Sequence, residues 1–177
     1  MPDNILKLTA KLTGLTAATA QTDSQLNGLT IATVTVTTSA PLTLDTALAT
    51  HLTATINNAD YDGLIAEIYQ LPATRNADRY QFVLRPWLWW LTLSSNNRVF
   101  QNLSAQEIVG KVFKDAGFTD YKFQLKTTPA KREYCLQYNE SDFNFVSRLL
   151  EQEGIFWFFT HAAGKHTLVL ADDNSAF

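Results

Sequence analysis

The chain has 177 residues, 46% of them apolar, enough to bury roughly two-thirds of the surface that its unfolded form would expose. Only 18% are charged, the net charge is -3, and no run of Lys or Arg occurs, so the electrostatic footprint of a nucleic-acid binder is missing. The longest apolar run, Phe82 to Leu93, is interrupted by Arg85 and falls far short of the roughly 20 residues a stable bilayer crossing needs.

Met1 to Lys11 lacks a basic stretch followed by an apolar segment and an A-x-A site, so the expectation is a soluble protein folded in the cytoplasm without a cleaved signal. Composition then changes near Tyr61. Residues 1 to 60 hold no aromatic residue, no Arg and no Glu, and are crowded with Thr. Leu, Ile, Val and Thr methyls must therefore do the packing there. Leu29 to Thr38 alternates, with Ala32, Val34 and Val36 on one face and Thr33, Thr35 and Thr37 on the other, the pattern of a half-buried strand. Leu52 to Ile56 and Leu64 to Leu71 read as strands separated by a turn-rich Asn57 to Gly63, and Pro72 to Asp78 reads as another connector. Arg79 to Arg85 alternates again, with Tyr80, Phe82 and Leu84 on one side. The spacing predicts an antiparallel barrel or sandwich over the first part.

Helices enter in the second half. Ser104 and Glu107 form an S-x-x-E capping box, and Ile108, Val109, Val112, Phe113 and Ala116 recur at helical spacing up to Gly117. A second helix is predicted from Ser141 to Glu153, with Glu140 and Asp142 at its positive end and Gly154 at its stop. Its apolar residues, Phe143, Phe145, Val146, Leu149 and Leu150, spread over more than one stripe, so cover from two sides is expected. Tyr134, Leu136 and Tyr138 alternate in Glu133 to Tyr138, where the single cysteine, Cys135, reads as a small buried hydrophobe. A hairpin of Ile155 to Thr160 and His166 to Ala171, turning through His161 to Lys165, closes the chain. The expected class is α+β: a strand-rich, barrel-like segment over residues 1–84 and a mixed segment with two helices and a hairpin over 85–177.

Four blocks, Tyr80 to Phe100 (YQFVLRPWLWWLTLSSNNRVF), Gln101 to Val112 (QNLSAQEIVGKV), Arg132 to Gly154 (REYCLQYNESDFNFVSRLLEQEG) and Ile155 to Asp173 (IFWFFTHAAGKHTLVLADD), occur in the order and spacing of the VgrG family. Over roughly half its length the chain thus resembles the hub-like part of a type VI secretion spike protein. Residues 1 to 70 match only in rhythm, through strands and an L-x-L-D element at Leu42 to Asp45, without the aromatic and charged residues usual there. The resemblance implies a fold like the central hub of a contractile phage baseplate. In the full-length protein three chains would form a pseudo-hexameric ring that docks on the Hcp tube hexamer and contacts baseplate proteins. A C-terminal part beyond Phe177 would carry the spike tip and effectors, and the whole would be delivered from the bacterial cytoplasm without a signal peptide. The signature positions, expected to be structural, are Arg85, Pro86, Trp87 and Trp89; Arg98 and Phe100; Arg132, Tyr134 and Tyr138; and Glu140, Ser141, Asp142, Phe143 and Arg148.

Chemical readings of the same residues compete with that one. His161, His166, Asp172 and Asp173 raise a metal cluster, but no third ligand element is apparent, and neither metal nor other cofactor is expected. On a strand, Trp87 and Trp89 would share a face that could stack on sugar rings or be packed away, and packing is the favoured reading. Arg85, Arg98, Arg132 and Arg148 have Glu133, Glu140, Asp142 and Glu151 available as ion-pair partners, with Arg148 and Glu151 spaced i,i+3. No G-x-S-x-G, P-loop, H-E-x-x-H or G-x-G-x-x-G element occurs. The expectation is a structural protein rather than an enzyme. A phage tail hub or late-control protein is the first alternative, and a carbohydrate-binding or hydrolytic domain the second.

Overall fold

The structure, a computed structural model, describes residues 7–10, 15–23, 26–39, 42, 44–56 and 58–176. It divides into two compact units, Met1–Pro86 with His161–His166, and Trp87–Thr160 with Thr167–Phe177.

The first unit runs β1 (Lys7–Ala10), β2 (Leu15–Asp23), β3 (Ile31–Thr38), a single-turn helix α1 (Leu44–Ala47), β4 (His51–Ile56), β5 (Ala59–Thr74) and β6 (Ala77–Arg85). They form one six-stranded sheet in the order β1-β4-β5-β6-β3-β2, with every pair antiparallel. The two strands at its ends are neighbours in sequence and approach each other, so the sheet is barrel-like and nearly closed. The shortage of large side chains before Tyr61 is answered by register. Val34 and Val36 of β3 lie opposite Phe82 and Tyr80 of β6, and with Leu52, Ala54, Ile65 and Leu84 they make a buried core. Local Val and Ala methyls are thus filled out by rings supplied about 45 residues later in the chain.

Two expected connectors are shorter than the composition implied. Asn57 lies outside the described residues, but Ala59 to Gly63 is strand, entered through Asn58 at φ 64°. The aspartates that read as turn formers are instead satisfied across the ladder. Thr55 Oγ1 donates to Asp60 Oδ1 at 2.6 Å, and Thr53 Oγ1 to Asp62 Oδ1 at 2.7 Å. Likewise Pro72 sits within β5, where the register shifts between Leu71 and Thr74, an irregularity that spares the ladder a missing N–H. Only Arg75 and Asn76 turn. Gly63 is required by contact, because a Cβ there would lie 2.9 Å from Leu84 Cβ. Of the L-x-L-D element, Thr43 lies outside the described residues and α1 begins at Leu44.

The second unit opens with a 3₁₀ helix, Trp87–Thr92. Then follow β7 (Ser95–Ser104), α2 (Ala105–Asp115), β8 (Tyr121–Gln124), β9 (Lys131–Ser141), α3 (Asp142–Gln152), the hairpin strands β10 (Phe156–Ala162) and β11 (Lys165–Ala171), and a 3₁₀ turn at Asn174–Ala176. β7 and β9 pair antiparallel, while β10, β11 and β8 form a second sheet in which β11 and β8 run parallel. Both predicted helices form. Ser104 Oγ accepts from the Glu107 N–H and Glu107 returns the bond to the Ser104 N–H, completing the capping box, and Gly117 takes φ 82° beyond the end of α2. Ser141 Oγ accepts from the Asn144 N–H to start α3. Helix α3 buries Phe145, Val146, Leu149 and Leu150 against α2, β9 and the 3₁₀ helix, the cover on several sides that its wide apolar surface called for.

The tryptophan segment is not a strand. Pro86 has no N–H with which to continue the ladder of β6, and the chain tightens into the 3₁₀ turn, which places Leu88 and Leu91 one above the other. Trp87 is buried, edge-on to Phe113 at 5.0 Å and stacked on Phe118 at 4.8 Å, whereas half-buried Trp89 meets Trp90 edge-on at 5.1 Å. The two-tryptophan strand face does not form. Trp87→Ala is expected to destabilise the second unit by about 3–5 kcal/mol, and Ser104→Ala by about 1 kcal/mol, in urea unfolding followed by circular dichroism.

Candidate functional site

In the second unit the polar side chains converge on one carboxylate. Asp142, the first residue of α3, is buried, and its Oδ1 accepts from Gln137 Nε2 at 2.8 Å, from Asn96 Nδ2 at 3.0 Å and from Arg98 Nη2. Oδ2 accepts from Ser94 Oγ at 2.9 Å and from Asn96 Nδ2 at 3.0 Å, while the Asp142 N–H donates to the Ser94 carbonyl at 3.0 Å. One side chain thereby ties the entry to β7, β7 itself, the end of β9 and the start of α3. Burial alone would push this carboxyl up, but hydrogen bonds from Gln137, Asn96 and Ser94, with the Arg98 charge, outweigh it and hold the group below its ordinary value.

A hollow of about 530 Å³ opens beside this network, lined by Trp90, Ser94, Asn96, Arg98, Asp115 and Asp142 among others. Its two carboxylates are both engaged by Arg98, which reaches Asp115 at 3.8 Å, and Asp115 also faces Lys111 at 3.7 Å. A general acid needs a carboxyl raised toward neutrality. Asp142 is shifted the other way.

The other signature residues separate into packing and surface. Arg85 pairs with Glu67 at 3.6 Å, and Pro86 is buried. Phe100 stacks on Phe145 at 5.6 Å, and Phe143 meets Trp157 edge-on at 6.4 Å. Arg132 donates to Gln152 and Glu153 at 2.7 and 2.6 Å, fastening β9 to the end of α3. Arg148 pairs with Glu140 at 2.6 Å, donates to the Leu136 carbonyl and lies 5.4 Å from the centre of the Phe145 ring. The i,i+3 partner Glu151 is not the one used, because β9 runs alongside α3 and brings Glu140 closer. Tyr134 and Tyr138 do not pack inward. The buried face of β9 is Cys135 and Gln137, and Tyr134, Leu136 and Tyr138 stand outward beside Val99 of β7, with Tyr138 72% exposed.

The first unit holds a group that the sequence reading missed. The three histidines of the chain gather at Asp62: His51 Nδ1 and His166 Nδ1 lie 2.7 and 2.8 Å from its Oδ2, and His161 Nδ1 lies 3.2 Å from its amide nitrogen and 3.1 Å from its carbonyl oxygen. Burial would raise the Asp62 carboxyl, but hydrogen bonds from His166, Thr53 and His51 lower it further than burial raises it. His161 is pushed down by burial and by His166, against the pull of Asp62. The grouping of His161 and His166 with Asp172 and Asp173, which the sequence raised and disfavoured, is not the one found. Asp172 accepts instead from the Lys126 and Thr127 N–H groups at 2.8 Å, and Asp173 pairs with Lys126 at 2.6 Å. A signal was present in the period-2 pattern, which sets His51 and Thr53 on one face of a strand. It becomes useful only when Asp62 is read as the cross-strand partner of Thr53 rather than as a loop residue.

Comparison with known proteins gives four likenesses. The phage tail baseplate hub (GPD) family profile matches residues 24–177. The type VI secretion system spike protein VgrG1b of Pseudomonas aeruginosa is 45% identical over 112 residues, which are 63% of this chain and 15% of that protein. The actin cross-linking toxin VgrG1 of Vibrio cholerae is 44% identical over 93 residues, 52% of this chain and 8% of that protein. The matched region is thus a small part of these relatives' length. A solved structure of the E. coli c3393 protein, described as a component of the type VI secretion system with structural similarity to the T4 bacteriophage tail proteins gp27 and gp5, superposes with a TM-score of 0.89 at 26% identity over 97% of this chain and 50% of its own.

Asp142 supplies a pH test. Its folded pKa lies below the unfolded carboxylate value of about 3.9, so its contribution to stability is complete above that pH and is lost as pH falls through the folded value. Acid unfolding is expected to begin below about pH 4. Asp142→Asn, which leaves Arg98 only its 3.8 Å contact with Asp115, should cost about 1–3 kcal/mol at pH 7 and flatten that acid limb in urea titrations.

Proposed function

We propose, for a chain that belongs to the phage tail baseplate hub (GPD) family, that it is the hub portion of a type VI secretion spike and that its work is assembly. In the longer protein three copies form a pseudo-sixfold ring at the base of the spike, seat it on the Hcp tube hexamer and meet the baseplate. Spike-tip and effector attachment fall to the part beyond this segment. The machine is built in the bacterial cytoplasm and carries the spike out.

The observation that carries this reading is the 45% identity to a type VI spike protein over 112 residues, 63% of this chain. That identity favours the secretion spike over a phage tail hub, its nearest mechanical relative. A non-enzymatic role is supported by the hollow beside Asp142, where Asp142 is held below its ordinary value and both Asp142 and Asp115 are paired with Arg98. The outward row of Tyr134, Leu136, Tyr138 and Val99 is surface suited to burial between subunits. Among the described residues no helix is long and apolar enough to cross a membrane.

Sedimentation of the protein extended through its C-terminal needle is expected to show trimers at micromolar concentration, and monomers alone would contradict the reading. Tyr138→Asp, at an exposed position, should leave monomer stability within about 0.5 kcal/mol while weakening the trimer.

A further inference from the structure

We propose that His51, Asp62 and His166 form a binding site for one divalent transition-metal ion of the zinc class. The three donor atoms lie within 4.8 Å of one another and come from three different segments: β4, β5 and the start of β11. Two imidazoles and a carboxylate are the nitrogen and oxygen donors that zinc and its first-row neighbours take, with a further position left for water or another ligand.

The site is built rather than incidental. The Asp62 and His166 side chains are wholly buried, while the His51 side chain is 38% exposed and gives an ion a way in. Asp62 offers Oδ2 to both imidazoles because its Oδ1 is held by Thr53 Oγ1 at 2.7 Å. Thr53 Oγ1 in turn accepts the Gly164 N–H at 2.8 Å, which anchors the hairpin tip that delivers His166. Such outer hydrogen bonds orient ligands in metal sites. The paired strands β4 and β5 fix His51 and Asp62 in register, with Thr53 directly opposite Asp62.

Without an ion, each Nδ1–H donates to Asp62 Oδ2. With one, the Nδ1 proton of each ring passes to solvent or to Nε2, and the ring, its remaining N–H on Nε2, presents the Nδ1 lone pair to the metal. Zinc–ligand bonds of about 2.0–2.2 Å place neighbouring tetrahedral donors roughly 3.3 Å apart. The present 2.7 and 2.8 Å separations must therefore open by about half an ångström: the partly exposed His51 ring swings outward, and the His166 ring shifts with the hairpin that carries it. Bound metal would clamp residues 51 and 62 to residue 166 and close a long loop of chain.

The test is titration of the chelator-treated chain with zinc chloride by calorimetry, together with ¹⁵N spectra of the imidazole nitrogens. One ion per chain, a raised Tm, and shifts of the His51 and His166 Nδ1 resonances are expected, with His51→Ala binding at least tenfold more weakly. Absence of stoichiometric binding would overturn the proposal and leave a hydrogen-bonded cluster only. So would binding that is undiminished in folded His51→Ala, or that leaves the His51 and His166 resonances unmoved. If that variant does not fold, the imidazole spectra of the unmodified chain decide.

Discussion

The second unit depends on the burial of a single negative charge at the start of α3. A carboxylate taken out of water is costly unless its lone pairs are filled, and Asp142 meets that condition with Ser94, Asn96, Arg98 and Gln137. The requirement runs both ways. Arg98 and Gln137 are themselves held by the carboxylate, so β7, β9 and α3 cannot be rearranged separately without leaving a buried polar group unmatched. The aromatic pairs Trp87–Phe113, Trp87–Phe118 and Phe100–Phe145 then have fixed backbones to pack between. This interaction is one of placement, because the groups that satisfy Asp142 come from separate segments and are held together by it.

The first unit solves a different problem. A stretch without aromatic residues, rich in Thr, has little apolar volume, and its strands become a core only by pairing with β6 and its Tyr80 and Phe82. Threonine hydroxyls in that setting need partners, and Thr53 and Thr55 find them in Asp62 and Asp60 on the neighbouring strand. The same exchange that lets polar residues occupy a barrel wall also buries an aspartate where all three histidines can reach it.

Much of this was legible in the residues. Both helices were readable because caps and glycine stops are local: Ser104 with Glu107, Ser141, Gly117 and Gly154 act within one turn of the positions they terminate. The alternation of β3 and β6 was readable for the same reason. What escaped depended on partners distant in sequence. Asp60, Asp62 and Pro72 carry the composition of turns, but cross-strand threonines and a register shift make them strand residues. The Trp87 segment has strand-like hydrophobicity, and the loss of the ladder at Pro86 decides its shape. The strands β1 and β2 have too few large side chains to announce themselves. Among candidate site residues, the burial of Asp142 and the pairing of Arg148 with Glu140 required knowing that β9 lies along α3. The outward tyrosines of β9 required knowing which of its faces the core had taken.

A buried carboxylate whose lone pairs are filled resists partial unfolding, because parting the segments that satisfy it exposes an unpaired member of the network. The claim that assembly is the work of this segment is tested most directly by native mass spectrometry of the full-length spike mixed with the tube protein. The expected result is a discrete complex of three spike chains with one tube hexamer. Spike chains that never join the tube, at concentrations where the hexamer is intact, would contradict it.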